Sequence, residues 1–252
     1  MKYSPIESRH QFMEMVMPLH TEYTPAPSVV EHCRHIDLTT VTGPAGVGKN
    51  TIMSLTGIPV VVSDTTRNPR SNDGYMENEG VEYWFRGDEL EEVYNDIQNG
   101  DFVQWAPGPN DNIYGSRNSS YPQEGTALID VVAKSIVSVR DLRPSFNSVE
   151  SAYIVTPDYE TWIPRLRGRG TLDPKDFSSR LKEAHSSLVF GLEDEEMHFI
   201  VNDEKTEAAQ NLELLATRHE SHEAEKRAKN CGLLMLRGLE KELGLKITYP
   251  LS

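Results

Sequence analysis

The chain has 252 residues, with 25 Lys and Arg against 39 Asp and Glu and a formal net charge of −14. The length suits one substantial α/β core with small insertions, and the charge excludes general nucleic-acid binding, which needs a basic face. No apolar run approaches the about 18–20 residues of a membrane span, no basic-then-apolar leader opens the chain, and Cys33 and Cys231 read as free buried thiols of a reducing, cytoplasmic setting.

Residues 1–36 show no clean period and read as an extension lying on the domain or mediating contacts. Phe12, Met13, Val16 and Met17 space out as a turn or two of amphipathic helix. Pro25 and Pro27 are expected to break anything helical after it. His32, Cys33 and His35 sit close together, but nothing downstream completes a ligand set, so no metal site is expected there.

Residues 36–42 read as the first core strand, running into Gly43-Pro44-Ala45-Gly46-Val47-Gly48-Lys49-Asn50-Thr51. Gly43, Gly46 and Gly48 lack a Cβ, so the turn can curl and point successive N–H groups, through Val47, into one concavity. A helix opening at Lys49 adds unpaired N–H groups and the positive end of its dipole. Lys49 supplies a mobile cation for the outer phosphates of a nucleotide. In the usual pattern the residue after this lysine is Ser or Thr, whose hydroxyl ligates Mg²⁺. Asn50 stands there instead and offers a carbonyl oxygen, directly or through water, while Thr51 keeps a hydroxyl one step on. The stretch predicts a phosphate cradle.

Gly57-Ile58-Pro59 should stop the helix, and Val60-Val61-Val62 reads as a second buried strand. In Ser63-Asp64-Thr65-Thr66-Arg67-Asn68-Pro69-Arg70, two arginines around a proline form a stiff cationic loop. Their guanidinium forks suit the oxygens of a phosphate monoester. Cradle and loop together resemble the guanylate kinase family, in which a TTRxPR loop grips the phosphate of the acceptor nucleotide. The resemblance runs over roughly residues 37–216.

Several further segments carry it. Glu82-Tyr83-Trp84-Phe85 is similar to the family's D-Y-x-F strand, although residues 71–80 make a longer connection than usual. Residues 99–106 resemble N-G-E-F-x-E-W-A, with Gln104 at the second glutamate, and Asn112-Ile113-Tyr114-Gly115-Ser116 matches N-Y-Y-G-[ST]. Ala127-Leu128-Ile129-Asp130 resembles the L-L-D-[IV]-D strand, with Val132 in place of its second aspartate. Arg165-Leu166-Arg167-Gly168-Arg169-Gly170-Thr171 is close to the family's lid, Arg180 stands where another lid arginine does, and Gly168 and Gly170 supply hinges. Asn202-Asp203 matches V-x-N-D near the donor purine. Beyond residue 216, Leu233, Leu234, Leu236, Leu239 and Leu243 form a helical face that Gly244 ends. That face must bury against the domain or a second subunit, so a homo-oligomer through the C-terminal extension stays open.

The resemblance implies an α/β fold of the P-loop NTPase type, a parallel sheet flanked by helices, with an inserted subdomain for the nucleoside monophosphate and a lid. The expected boundaries are an N-terminal extension at 1–36, a core at 37–62 and 118–217, the acceptor subdomain at 63–117, the lid at 165–182 and a C-terminal extension at 218–252. It implies transfer of the γ-phosphoryl group of ATP, with Mg²⁺, to GMP or dGMP. Gly43, Gly46, Val47, Gly48, Lys49, Asn50, Thr51 and Asn202 would bind ATP, with Asn50 toward the metal. Ser63, Arg67, Arg70, Tyr83, Gln104, Tyr114, Ser116 and Asp130 would bind the acceptor. Lys49, Arg165, Arg169 and Arg180 would act on the transferring group.

Gln104 leaves the base open. A glutamine amide has one acceptor and one NH₂, so it suits the adenine or 2-aminoadenine edge better than the two donors of guanine, unless it tilts to bond only one. A same-fold kinase for such an acceptor is one alternative. A nonenzymatic module that binds protein partners is another, favoured by Asn50 and Val132 and opposed by Lys49 and the lid arginines.

Overall fold

The computed structural model describes residues 6, 8–72, 75–108, 110–168, 174–218 and 224–249. In chain order, α1 (Arg9–His20) and α2 (Pro27–Cys33) precede β1 (Ile36–Thr42) and α3 (Lys49–Thr56). β2 (Val60–Val61), β3 (Asp64–Thr65), β4 (Ser71–Asn72), β5 (Tyr75–Met76) and β6 (Trp84–Phe85) follow. Next come α4 (Leu90–Asn99), β7 (Phe102–Gly108), β8 (Asn112–Arg117), β9 (Gly125–Asp130) and α5 (Ile136–Arg140). The remainder is β10 (Ser148–Val155), α6 (Tyr159–Arg167), α7 (Pro174–Glu193), β11 (His198–Val201), α8 (Lys205–Arg218) and α9 (Glu225–Leu243).

The chain divides into two compact units, one of Met1–Ile36, Val61–Gly125 and Ser145–Asn147, the other of Asp37–Val60, Thr126–Pro144 and Ser148–Ser252. The second is built on a five-stranded sheet in the order β11-β10-β1-β9-β2. β1 pairs in parallel with β10, Thr42 opposite Tyr153, and β10 pairs in parallel with β11, Val155 opposite Val201. β1 is buried along almost its whole length and β10 is buried from Ser151 on, as expected of strands covered on both faces. α6 starts where Asp158 caps it, its carboxylate accepting from Thr161 N at 2.7 Å.

Two expectations need correction in this unit. The buried strand expected at residues 60–62 is shorter and only half buried: β2 spans Val60–Val61 at the edge of the sheet, with Val61 3% and Val60 38% exposed. The apolar face of α9 keeps only Leu236 and Leu239 of the leucine set read from the sequence. Ala228, Cys231, Met235, Leu236 and Leu239 are buried, whereas Leu234 is 48% exposed, and the helix packs on α6, α7, β10 and β11 of its own unit. Fully buried Glu240 on α9 accepts from Thr248 N at 3.0 Å and Thr248 Oγ1 at 2.5 Å, which ties the following segment down.

The first unit holds a four-stranded sheet, β6-β3-β8-β7, and the small hairpin β4-β5. α4 presents Leu90, Val93, Tyr94 and Ile97 on one stripe, and the stripe packs with Phe102, Trp105 and Ile113 of the sheet. α1 completes this core. Phe12 and Val16 are fully buried and Met13 nearly so, among those same residues. The N-terminal segment thus groups with Val61–Gly125 in one compact unit. The break expected at Pro25 and Pro27 separates α1 from α2, and Pro27 opens α2 at the first helical position, where its missing N–H has no intrahelical partner to lose.

Candidate functional site

The phosphate turn joins β1 to α3 within the second unit. Gly43 has φ +137°, and a Cβ there would fall 2.4 Å from Ile154 O of the adjacent strand β10. Gly48 has φ +96°, and its Cβ would fall 2.4 Å from Asn202 Nδ2. Both positions exclude a side chain by conformation and by space. The turn's carbonyls are held from outside. Lys49 Nζ donates to Gly43 O at 2.9 Å, Trp162 Nε1 to Ala45 O at 2.8 Å and Asn202 Nδ2 to Val47 O at 2.7 Å. Arg165 on α6 donates to Asn202 O at 3.2 Å, which brings it to the same place.

Asn50 and Thr51 are exposed on the first turn of α3. Asp130, expected on the acceptor, ends β9 with Oδ1 3.9 Å from Lys49 Nζ. Arg180 lies on α7, and Arg169, Gly170 and Thr171 lie outside the described residues.

Apart from Asp130, the residues expected on the acceptor lie in the first unit. Arg67 is 8% exposed, and its guanidinium sits 4.8 Å from the Tyr83 ring centre and 5.2 Å from that of Phe85. Tyr83 meets Tyr114 edge to face at 5.8 Å. Arg67 donates twice to Glu77, NH1 at 2.5 Å and NH2 at 2.9 Å, and once to Asn68 O at 3.0 Å. Glu77 Oε2 also accepts from Arg70 N at 2.8 Å. Burial works against the charge on Arg67, but the Glu77 carboxylate holds its pKa above the usual value. Burial likewise opposes the charge on Glu77, yet the hydrogen bonds from Arg67 and Arg70 N keep its carboxyl below the ordinary 4.5.

Ser63, half-buried, accepts through its carbonyl from Trp84 N at 2.9 Å and so joins the loop to β6. Behind the loop, Asp64 is buried with Arg117 Nε at 2.7 Å and Arg86 NH1 at 3.9 Å. Burial pushes its carboxyl up to about 6 against both arginines. Antiparallel pairing of β7 with β8 sets Gln104 opposite Ser116. Gln104 Nε2 donates to Ser116 Oγ at 3.4 Å, and Ser116 Oγ meets Tyr121 OH at 2.9 Å.

The structure thus gathers Lys49, Asn202, Arg165 and Asp130 around the turn, and Arg67, Tyr83, Phe85 and Tyr114 into a second cluster. His32 is engaged by Asn118 Oδ1 at 2.5 Å and Pro122 O at 2.7 Å. Sequence reasoning did not single out Glu77 or Trp162. A buried guanidinium needs a counter-charge, which points to some carboxylate near Arg67, but several acids in 77–92 qualify equally. Nothing in the spacing marks Trp162 as a donor to the turn.

The sequence model of the family described as Guanylate kinase matches residues 37–218. The guanylate kinase of Parasynechococcus marenigrum (strain WH8102) is 32% identical over 182 residues, covering 70% of this chain and 95% of that protein. That of Symbiobacterium thermophilum is 35% identical over 182 residues, covering 69% and 82%. A crystal structure of guanylate kinase from Anaplasma phagocytophilum aligns with a TM-score of 0.49 and 20% identity over 77% of this chain and 90% of that one. The sequence matches alone carry the assignment: the chain belongs to the guanylate kinase family.

Proposed function

We propose that the protein is an ATP-dependent nucleoside monophosphate kinase that transfers the γ-phosphoryl group of ATP to GMP or dGMP. The observation that carries this reading is the caged Arg67. It is a buried guanidinium flanked by Tyr83 and Phe85 and aligned by Glu77, in a TTRxPR loop of a guanylate kinase family chain. A nonenzymatic module would have no need of both this grip and an intact lysine cradle.

Lys49 and the N–H groups of Gly46, Val47 and Gly48 bind the β- and γ-phosphates, and Asn202 serves ATP binding by bracing the turn through Val47 O. Arg67, Arg70, Tyr83, Tyr114 and Ser63 hold the acceptor phosphate. An oxygen of that phosphate, already ionised at pH 7, forms the new bond to the γ-phosphorus as the bond to the β–γ bridging oxygen breaks, and ADP leaves. Alignment and charge neutralisation do most of the work, with Arg165, Arg169 and Arg180 acting on the transferring group.

Mg²⁺ fits the donor set. The exposed Asn50 amide oxygen and the Asp130 carboxylate beside Lys49 are hard oxygen ligands next to the turn. They would hold the ion directly or through water, and it would neutralise the charge of the outer phosphates. A cytoplasmic setting accords with the two buried, unpaired thiols.

The base is guanine. Gln104 Nε2 donates to Ser116 Oγ, which leaves its Oε1 to accept one of the two hydrogens a guanine would present. ADP release measured with GMP, dGMP, AMP, CMP and UMP tests the assignment. Turnover with GMP or dGMP above the others is expected. Binding without turnover, preference for AMP, or hydrolysis independent of acceptor would each overturn it.

A further inference from the structure

The family match begins at residue 37, yet the loop assigned to the acceptor phosphate is held by a residue ahead of it. α1 is anchored by Phe12, Met13 and Val16 in the core of the first unit, and its N-terminus is capped by Ser8 Oγ, which accepts from Gln11 N at 3.2 Å. That anchoring fixes Arg9 on the first turn. Arg9 NH1 donates to Thr66 O and, at 2.7 Å, to Asn112 Oδ1, while NH2 donates to Asn68 Oδ1 at 3.0 Å.

These acceptors sit on both sides of Arg67 and at the start of β8, two positions before Tyr114. Thr66 is itself laced to β8: its N donates to Ile113 O at 3.3 Å, and its Oγ1 accepts from Ile113 N at 3.0 Å. One planar fork therefore locks together the two segments that supply Arg67 and Tyr114. Space has been left for it. A Cβ on Gly87 would fall 2.7 Å from both Arg9 NH2 and Asn68 Oδ1. A lysine ammonium, a single point charge, cannot span the three acceptors with the same geometry.

We propose that Arg9 is a positioning residue for the acceptor grip. It sets the backbone around Arg67 against β8 through bonds to protein oxygens, so that acceptor affinity in this chain depends on a helix outside the region the family shares. The inference rests on reading Arg67 and Tyr114 as phosphate ligands.

The test uses the full chain, with GMP and ATP varied separately, calorimetric titration of GMP, and thermal melts of each variant. Arg9→Ala is expected to raise KM and Kd for GMP about tenfold, the equivalent of one charge-assisted hydrogen bond, while kcat and the ATP KM stay within about twofold. Arg9→Lys should recover part of the loss. Val16→Ala, which thins the packing of the same helix, should lower Tm but hold the GMP KM within about twofold. If Arg9→Ala does not fold, Arg9→Gln is measured in its place. An unchanged GMP KM in the Arg9 variants, or an equal rise in Val16→Ala, overturns the proposal. Arg67→Lys separates the two levels: if it leaves GMP affinity intact, the assignment of the grip itself falls, whereas a weakened Arg67→Lys beside a normal Arg9→Ala refutes Arg9 alone.

Discussion

At residues 43–48 the groups proposed to meet an anion are backbone N–H groups. Around residue 67 they are side chains drawn from β6, β8 and the loop before β4. The first arrangement is local: its three glycines, its lysine and its helix start lie within one short stretch, and the braces Trp162 and Asn202, the latter held by Arg165, come from afar. The second is assembled from distant pieces, and the Arg67 guanidinium is paired by Glu77 and set beside the Tyr83 ring. A backbone cradle depends on its own short stretch and on the few side chains that hold its carbonyls. A side-chain cage can be weakened from many positions, some far outside the motif.

That contrast can be broken or sharpened by substitution. Lys49→Met should cut kcat about 10³-fold, on the scale of removing a preorganised charge from a transition state, with GMP affinity unaltered; an intact kcat would remove Lys49 from the chemistry. Gly48→Ala should weaken ATP binding about tenfold, because it joins the cost of a left-handed alanine to the contact with Asn202. Titration with a nonhydrolysable ATP analogue checks it, and normal affinity would show that the turn relaxes freely. Gln104→Glu should raise the ratio of GMP to AMP turnover severalfold by restoring a second acceptor for guanine, about 1–3 kcal/mol at most; an unchanged or reversed ratio would count against base reading at this strand.

The smallest effect concerns Glu77. Its folded pKa lies below the ordinary 4.5, so its pair with Arg67 contributes stability that is fully present above that ordinary value and fades as pH falls through the lowered one. Thermal melts between pH 3 and 7, a window set by the carboxylate range, should show a steeper acid loss in the unaltered chain than in Glu77→Gln. Parallel curves would mean that the pair adds nothing to folding.

The difference between the two regions also explains what could be read in advance. Residues 40–51 and the strand–helix alternation were legible because their determinants are neighbours in sequence. Arg67 and Arg70 stood out by their spacing around Pro69, but Glu77 comes from the far side of the β4–β5 hairpin and Arg9 lies 57 residues before its partner Thr66. No local pattern encodes such pairs. Val60 and Leu234 misled for a related reason: apolar identity says that a residue prefers burial, while edge position and helix rotation decide whether burial is granted.

A trans peptide unit points its C=O and N–H in opposite directions. Because Trp162 and Asn202 pull the oxygens of Ala45 and Val47 toward themselves, the amide hydrogens of Gly46 and Gly48 are turned the other way before any anion arrives. Reorientation of dipoles, which bulk water must perform each time an ion is met, has here been completed during folding. Loss of the indole in Trp162→Phe would therefore be felt as a slower, looser uptake of triphosphate, through a ring that need never touch it.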